Sequence, residues 1–202
     1  MLTSERRLGK RIFVVKASQS YIDCSMRSTA LAPYGRLDVV ARAAIAALST
    51  RKGPRRDTIF YAVLEGRKPK VLALKLNGEK LTAVPSSEAE FGELLRLLAC
   101  GATIEGAELL EMRFADLVTE LARIFGKENV YYMHEEGTDI SAVKVGPSAV
   151  FVLGDHVGVD AQSEEWLRSL GIGWVSLGSR SYFTEHVITF IHALMDGYIP
   201  SS

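Results

Sequence analysis

Ala149-Val150-Phe151-Val152-Leu153-Gly154-Asp155-His156-Val157-Gly158 is the stretch that decides the fold. Its first five residues are all apolar and are bounded by polar residues and glycine, a pattern typical of a buried strand in a parallel sheet. Gly154 and the polar residues after it then emerge at the carboxyl end of that strand, where open α/β folds bind their ligands. The stretch therefore predicts a ligand pocket, with a plain structural turn as the alternative.

Two more apolar runs, residues 129–134 and 173–177, have the same character and predict buried parallel strands beside the first. Helical spacing of apolar side chains predicts helices over residues 164–170 and 184–196. Toward the N-terminus, the pattern predicts a strand over 11–16, helices over 36–48, 87–98 and 114–125, and two neighbouring strands or a hairpin over 58–64 and 71–76. This alternation predicts an α/β protein, and no linker divides residues 1–202 into more than one domain.

The composition is that of a globular protein with one sizeable core, because 48% of the 202 residues are hydrophobic and 24% are charged. The longest apolar stretches end well short of the roughly 18 residues that cross a bilayer, and the N-terminus lacks a secretory apolar segment. We therefore expect a soluble, cytoplasmic protein with no membrane partner.

Charge is unevenly distributed along the chain, although the net charge is zero. Residues 1–100 contain 18 Lys and Arg against 9 Asp and Glu, a difference of +9, whereas residues 101–202 contain 6 against 15, a difference of −9. A basic half can attract phosphates while an acidic half limits non-specific binding. The asymmetry weakly favours a nucleic-acid partner.

The cysteines and histidines show no metal-binding pattern. Cys24 and Cys100 are far apart and lack the paired spacing of a zinc site, so two free, partly buried thiols are expected. His186 and His192 are six residues apart, which does not bring them to one face of a helix, and His156 lies elsewhere in the chain. We expect no bound metal.

The loop of residues 176–182 is a second candidate for the wall of a binding site. It follows one predicted strand and precedes the last predicted helix, so it offers backbone N–H groups and hydroxyls near a helix N-terminus. Helix capping is the simpler role for these hydroxyls. Neither this loop nor residues 153–158 contains Gly-x-Gly-x-x-Gly or a Walker A lysine, so a dinucleotide fold or a phosphate-binding loop is not supported.

Positive charge brackets the strand predicted at 58–64, at residues 51, 52, 55 and 56 on one side and at 67, 68 and 70 on the other. Such runs bind phosphates or lie in solvated loops. Asp57 interrupts the first run just before the strand. A carboxylate there can orient or deprotonate an N–H group, or form a simple ion pair.

Five separated motifs together resemble the archaeal tRNA pseudouridine-54 N1-methyltransferase family over most of the chain, from about residue 12 to residue 196. The motifs are Gly35-Arg36-Leu37-Asp38, Arg55-Arg56-Asp57-Thr58, Tyr131-Tyr132-Met133-His134, Gly154-Asp155-His156-Val157-Gly158, and Ser176-Leu177 followed by His186-Val187-Ile188-Thr189 and Ile191-His192. The family belongs to the SPOUT superfamily. The resemblance thus implies an α/β fold with a C-terminal trefoil knot, a mostly parallel sheet flanked by helices, and a homodimer.

The resemblance also implies S-adenosylmethionine as the cofactor, bent within the knot and held by backbone groups after three strand ends. The positions implied in this chain are Met133, Gly154, Leu177, Gly178, Ser179, Arg180, Ser181, Tyr182 and Val187. Residues 178–183 depart from the family pattern, which more often contains a Pro and a Leu-Glu pair there.

The substrate that the resemblance implies is tRNA, methylated at N1 of pseudouridine 54 in the T-loop. Pseudouridine has a free N1–H, so methyl transfer requires loss of that proton and good alignment. Asp57 is the candidate proton acceptor, and Arg36, Arg55 and Arg56 are candidate clamps on phosphate or base. The alternatives are a sister enzyme that methylates a pseudouridine of ribosomal RNA, a non-catalytic RNA-binding SPOUT module, and a small-molecule enzyme on a plain doubly wound sheet.

Overall fold

A seven-stranded sheet forms the centre of the molecule, whose computed structural model describes residues 9–67 and 70–197. The strands of the chain are β1 (Arg11–Ala17), β2 (Ser49–Thr50), β3 (Gly53–Pro54), β4 (Thr58–Leu64), β5 (Leu72–Asn77), β6 (Ala107–Glu111), β7 (Val130–Asp139), β8 (Ala149–Gly154) and β9 (Gly173–Ser176). The sheet has the order β6-β5-β4-β1-β8-β7-β9, while β2 and β3 form a separate antiparallel pair. β4, β1, β8, β7 and β9 run parallel to their neighbours, and β5 and β6 add two antiparallel pairings at one side.

Helices cover both faces of the sheet. They are α1 (Leu37–Leu48), α2 (Glu88–Ala99), α3 (Phe114–Phe125), α4 (Ala161–Leu170) and α5 (Thr184–Met195). Phe13 and Phe151 lie in one apolar cluster with α1, α2 and α5, whereas Ile12 and Val14 lie in a second cluster with α3 and α4. Successive residues of a strand point to opposite faces, so a central strand covered on both sides must be apolar throughout. This explains why β1 and β8 are near-continuous apolar runs.

The mostly parallel α/β sheet flanked by helices is therefore confirmed. Strand β4 and helix α3 have the predicted limits, and β5 pairs antiparallel with β4 as its predicted neighbour. Residues 68 and 69 of the predicted turn between them lie outside the described residues. Strand β6 was not predicted, because its sequence Ala-Glu-Leu-Leu-Glu does not alternate and it lies at the sheet edge.

The segment of residues 18–36 is irregular and closely packed. Gly35 and Gly66 belong to different loops, yet a Cβ added to either would collide with the carbonyl oxygen of Gln19. Ser20 lies between them, since its Oγ donates to the Gly35 carbonyl at 2.7 Å and its own carbonyl accepts from the Gly66 amide at 2.9 Å. The segment is thus fixed against the carboxyl ends of β1 and β4.

The expectation of two free thiols is wrong, because Cys24 and Cys100 form a disulfide. Cys24 lies in the irregular segment and Cys100 at the C-terminal end of α2, with their Cα atoms 4.7 Å apart. The two cysteines are 76 residues apart in sequence and meet only because the segment of residues 18–36 folds back over α2, so their spacing did not reveal the pairing.

No helix in the described part of the chain is long and apolar enough to span a bilayer.

Candidate functional site

A cavity of about 510 Å³ opens at the carboxyl ends of β7 and β8. Its volume lies in the range of sites for small molecules and cofactors. Of the residues named from the sequence, Arg36, Met133, Gly154, Ser181, Tyr182 and Val187 line it. A smaller cavity of about 60 Å³ adjoins it and shares several of these residues, with Leu177 and Arg180 added to its wall. Gly178 and Ser179 line neither cavity.

The loop after β8 forms one wall and turns back sharply on itself. The Asp155 carboxylate accepts a hydrogen bond from the Val157 amide at 2.9 Å, and the Gly158 amide donates to the Asp155 carbonyl at 3.1 Å. A Cβ on Gly154 would lie 2.5 Å from the Gly158 backbone. Glycine is therefore required at residue 154, because the Gly158 backbone passes too close for any side chain there. The alternative interpretation of these residues as a plain turn did not predict this constraint.

Asp155 is a buried acid of this wall. Burial raises the pKa of its carboxyl above the usual value, against the lowering effect of the Val157 amide. The Asp155 side chain is 1% exposed, and its Oδ2 has no hydrogen-bond partner among residues 9–67 and 70–197. Asp155 thus lines the cavity as a buried acid with one unpaired oxygen.

The second wall comes from an irregularity in β7. Its pairing with β9 shifts register between Met133 and Thr138, so the residues between them leave the sheet, and His134 and Glu135 line the cavity. Register shifts of this kind are common next to active sites because they redirect side chains. The carboxylates of Glu135 and Glu164 were not singled out from the sequence, because nothing local to residues 134–137 reveals the shift.

Glu164 of α4 anchors the aromatic side of the cavity. It accepts a hydrogen bond from the Tyr132 hydroxyl at 2.7 Å and lies 3.5 Å from Nε2 of His134. Burial, together with this bond to Glu164, raises the pKa of Tyr132 far above its usual value. The Tyr132 hydroxyl therefore stays protonated near neutral pH and acts as a hydrogen-bond donor to Glu164.

The start of α5 closes the cavity from a third side. The Thr184 hydroxyl donates to the Gly154 carbonyl at 2.8 Å, so the last helix is tied directly to the end of β8. Tyr182 and Phe183 precede this contact and remain exposed at the cavity mouth. The loop of residues 176–182 and the loop after β8 are therefore two walls of one site.

Lys16 supports this site from beneath. It is 3% exposed at the carboxyl end of β1, and its Nζ lies 2.7 Å from Asp160 and 2.8 Å from Glu65. Burial opposes its charge, but the bonds to Asp160 and Glu65 outweigh that effect and raise its pKa. Asp160 also caps α4 by accepting from the Ser163 amide. Lys16 therefore fixes the far end of the loop that begins at Gly154.

Arg36 reaches the same cavity from the segment of residues 18–36. Its backbone is left-handed, with φ of 60°, and its guanidinium makes two bonds to Asp38 at 3.0 and 3.1 Å. Asp38 is buried, yet its pKa is lowered by its bonds to Arg36 and Arg42. A non-glycine residue in this backbone region is uncommon and costs about 1–2 kcal/mol. The binding role of Arg36 stays a prediction. Its position at the cavity supports that role.

Asp57, Arg55 and Arg56 lie at the opposite, amino edge of the sheet. Arg11 at the start of β1 pairs with Thr58 and Ala149, whereas Lys16 at its other end pairs with Gly154. At about 3.3 Å per residue, Asp57 is roughly 20 Å from Gly154 along the strands. The fold of a single chain therefore does not bring Asp57 to its own cavity.

The charges at this amino edge are matched with one another. Arg55 makes two bonds to Asp196, at 3.1 and 3.0 Å. Arg56 donates from one nitrogen to three backbone carbonyls of residues 78–81. Asp57 Oδ2 lies 3.4 Å from the Arg11 guanidinium, and Asp57 lines an open groove of about 1140 Å³ that it shares with Phe190.

The histidines considered as metal ligands lie in different parts of the fold. His156 lines the cavity, whereas His192 is buried beside Arg11 at the other edge of the sheet. No group of three or more His, Cys, Asp and Glu side chains in residues 9–67 and 70–197 could hold a metal ion.

Comparison with known proteins places the chain in a family. Residues 10–198 match the family described as "Putative SAM-dependent RNA methyltransferase". The tRNA (pseudouridine(54)-N(1))-methyltransferase of Methanocella arvoryzae is 32% identical over 78% of this chain and 83% of its own length, and that of Methanococcus aeolicus is 29% identical over 91% and 96%. Nep1 of Archaeoglobus fulgidus, solved with S-adenosylhomocysteine, has the same fold, with a TM-score of 0.61 at 19% identity over 94% of this chain and 98% of that one. The chain belongs to the archaeal tRNA (pseudouridine-54 N1)-methyltransferase family of S-adenosylmethionine-dependent RNA methyltransferases.

Proposed function

We propose that this chain methylates N1 of pseudouridine 54 in the T-loop of tRNA, using S-adenosylmethionine. The relatives' activity suggests the reaction. The observation that carries the proposal is the cavity at the carboxyl ends of β7 and β8. Seven of the nine residues that the family resemblance implies for the cofactor line it or its smaller neighbour.

The chemistry of the cavity fits S-adenosylmethionine, which carries an ammonium and a sulfonium as well as a carboxylate. Glu135, Asp155 and Glu164 place carboxylates at its wall, and Asp155 Oδ2 has no partner among the described residues. Arg36 and Arg42 supply the opposite charge at the same wall. When bound, S-adenosylmethionine supplies an activated methyl group.

The protein must also accept the N1 proton of the pseudouridine. Asp57 remains the proposed acceptor, through a carboxylate oxygen, with Arg36, Arg55 and Arg56 as the proposed contacts to RNA. Since Asp57 lies about 20 Å from its own cavity, it can act only on a base bound at the cavity of a second subunit. The proposed homodimer therefore follows from the Asp57 assignment as well as from the family.

The apolar part of the groove beside Asp57 supports such a dimer, because Phe190, Leu194 and Met195 of α5 line it. We further propose that residues 1–202 form one domain whose C-terminal part is a trefoil knot. The Thr184 to Gly154 bond supports the knot, since it ties the start of α5 to the carboxyl end of β8. A cytoplasmic location is proposed because the tRNA substrate is there.

The direct test is mass spectrometry of nucleosides from RNA incubated with the protein and labelled cofactor. We expect N1-methylpseudouridine in tRNA with pseudouridine at position 54 and none in the matched tRNA with uridine there. Ribosomal RNA serves as the competing substrate. Methylation of ribosomal RNA alone supports the sister enzyme, and cofactor binding without methylation of either RNA contradicts the proposal.

Asp57→Asn tests the proton acceptor. We expect the single-turnover rate with tRNA to fall by about 100-fold or more, as for loss of a general base, while calorimetry shows unchanged affinity for S-adenosylmethionine. Asp116→Asn, at an exposed carboxylate paired with Arg113 on α3, is the matched control and should keep the full rate. An Asp57→Asn protein with the wild-type rate refutes the assignment.

Mixing two inactive proteins tests the shared site. Gly154→Val should abolish cofactor binding because of the clash with the Gly158 backbone, and Asp57→Asn should abolish proton transfer. A mixed dimer contains one intact site, so about a quarter to a half of wild-type activity should return after subunit exchange. Failure to regain activity, with exchange confirmed, contradicts a site shared between subunits.

A further inference from the structure

Exposed apolar side chains gather at the mouth of the cofactor cavity. Among the described residues, the exposed large hydrophobic side chains are Leu97, Val157, Tyr182, Phe183 and Phe190. Three of these five, Val157, Tyr182 and Phe183, line the cavity. Phe183 is the most exposed of all, at 71%, and Tyr182 is 50% exposed. Such clustering marks a surface that binds something, whereas isolated exposed residues would not.

Local structure does not account for Phe183. It occupies the N-cap position of α5, and it makes no side-chain cap bond. Ser87 and Asp160 cap α2 and α4 with side-chain oxygens, which is the favourable arrangement. Phenylalanine at this position therefore provides no helix cap, and its apolar ring is not buried. A residue that breaks two local rules without a structural gain is expected at a functional site.

The Phe183 ring is also held in place. Its backbone carbonyl accepts from the His186 and Val187 amides, and Thr184 is bonded to Gly154. The ring lies edge-on to His186, with 5.7 Å between centroids. The Phe183 ring is thus carried at the cavity mouth by an anchored backbone, rather than by a free loop.

We propose that Phe183, with Tyr182 beside it, is the stacking platform for an unstacked base of the RNA substrate. This inference rests on the proposed function, since it assigns the base-binding side of the same cavity. Single-stranded and flipped bases are bound by stacking on aromatic side chains. Two cationic side chains that suit the phosphates of such an RNA line the same cavities, since the Arg36 side chain is 46% exposed at the larger one and Arg180 lines its smaller neighbour.

A nucleobase fits this surface better than a second copy of the chain does. The apolar groove that favours subunit contact is lined by Phe190 and Leu194 at the other end of α5, and Phe183 does not line it. The mouth of the cavity combines two aromatic rings with exposed guanidinium groups, which is the composition of RNA-binding sites rather than of an apolar subunit contact.

The test uses Phe183→Ala and Phe183→Trp in the full chain. Loss of one base stack should raise the Kd for tRNA by about 5- to 150-fold, corresponding to about 1–3 kcal/mol. Phe183→Trp should restore affinity, and both variants should bind S-adenosylmethionine as wild type does. Leu97→Ala, at an exposed large hydrophobic of α2 that lines neither the cavity nor the groove beside Asp57, is the matched control and should leave tRNA affinity unchanged.

A direct readout is a T-arm hairpin with 2-aminopurine in place of a loop base. Its fluorescence should be quenched by wild type and by Phe183→Trp, and much less by Phe183→Ala. Equal quenching by Phe183→Ala overturns the inference, as does a weakened cofactor affinity or a change of oligomeric state in that variant. If Phe183-dependent quenching occurs but wild type methylates no tRNA, the proposed function fails and the base-binding surface stands.

Discussion

The two ends of strand β1 each hold a buried cation, and they are built in opposite ways. At the amino end, Arg11 is 7% exposed and contacts Asp57, Asp196 and His192. At the carboxyl end, Lys16 is 3% exposed and holds Glu65 and Asp160 below a cavity. The acids at the amino end are paired with arginines, whereas the carboxyl end leaves one Asp155 oxygen without a partner among the described residues. The two ends of β1 therefore differ in whether their acids are fully paired, and not in how many charges they hold.

The largest expected effect is at the carboxyl end. Lys16→Met should lower the free energy of unfolding by about 3–5 kcal/mol, because it removes a buried ammonium and leaves the Glu65 carboxylate, whose side chain is only 15% exposed, without its partner. Urea denaturation measures this directly. Arg113→Met, which breaks an exposed ion pair on α3, should cause no measurable change. Equal stability of the Lys16→Met protein would mean that the carboxyl end of β1 does not depend on its cation.

Loss of the disulfide should affect the carboxyl end of β1 more than its amino end. Reduction, or the double variant Cys24→Ser with Cys100→Ser, should lower the free energy of unfolding by about 2–4 kcal/mol. The reduced protein should lose affinity for S-adenosylmethionine more than it loses amino-edge structure, because the bond holds the segment that carries Arg36. Hydrogen exchange of residues 18–36 compared with β4 measures the difference. Uniform loss of protection in both regions would contradict a local role.

The amino end should respond to pH instead. Burial, with Arg55 and Arg11 nearby, lowers the pKa of His192 to about 4. Its neutral ring donates from Nε2 to the Ala47 carbonyl at 2.9 Å, so Nδ1 is the acceptor for Arg11. Below pH 6.5 the unfolded chain therefore binds a proton that the folded chain excludes. Stability is complete above about pH 6.5 and falls as the pH drops toward 4, by about 2 kcal/mol at pH 5.

Denaturation between pH 8 and pH 5 tests the role of His192. His192→Gln should flatten the pH dependence over this window, whatever its effect on stability at pH 8. His186→Gln, at an exposed histidine of the same helix, should retain the wild-type slope. A His192→Gln protein with an unchanged slope would assign the acid sensitivity to other groups.

The smallest effect concerns the backbone of Arg36. Glycine adopts φ of 60° without strain, so Arg36→Gly should melt about 2–4 °C above Arg36→Ala. Both variants lack the guanidinium, so both should lose tRNA affinity equally. A more stable alanine variant would show that the left-handed conformation is not kept when the side chain is removed.

Local patterns in the sequence were enough for the sheet core and most helices. Strand β4 and helix α3 have their predicted limits because apolar spacing alone specifies a doubly covered strand and an amphipathic helix. The edge strand β6 lacks that spacing. The Cys24 to Cys100 disulfide depends on how one irregular segment folds over α2, which no local pattern records.

The candidate site was predicted unevenly for the same reason. Gly154 and Val187 follow strands or begin a helix, so their place at the cavity could be inferred from topology and family resemblance. Glu135 reaches the cavity through a register shift between β7 and β9, and Lys16 acts through Glu65 and Asp160, far away in sequence. Asp57 precedes its strand and Gly154 ends its own, so the two lie at opposite edges only because β4, β1 and β8 run parallel, a pairing that the motifs do not reveal.

Gly35 and Gly66 show how selection on folding alone can resemble selection on activity. Each approaches the Gln19 carbonyl so closely that a single added carbon collides with it, and neither touches the cavity wall. In a library of variants screened only for methylation, both positions would tolerate nothing but glycine and would be mistaken for parts of the reaction centre. A parallel screen for soluble, folded protein should return the same two positions, whereas Phe183 should be free to vary there.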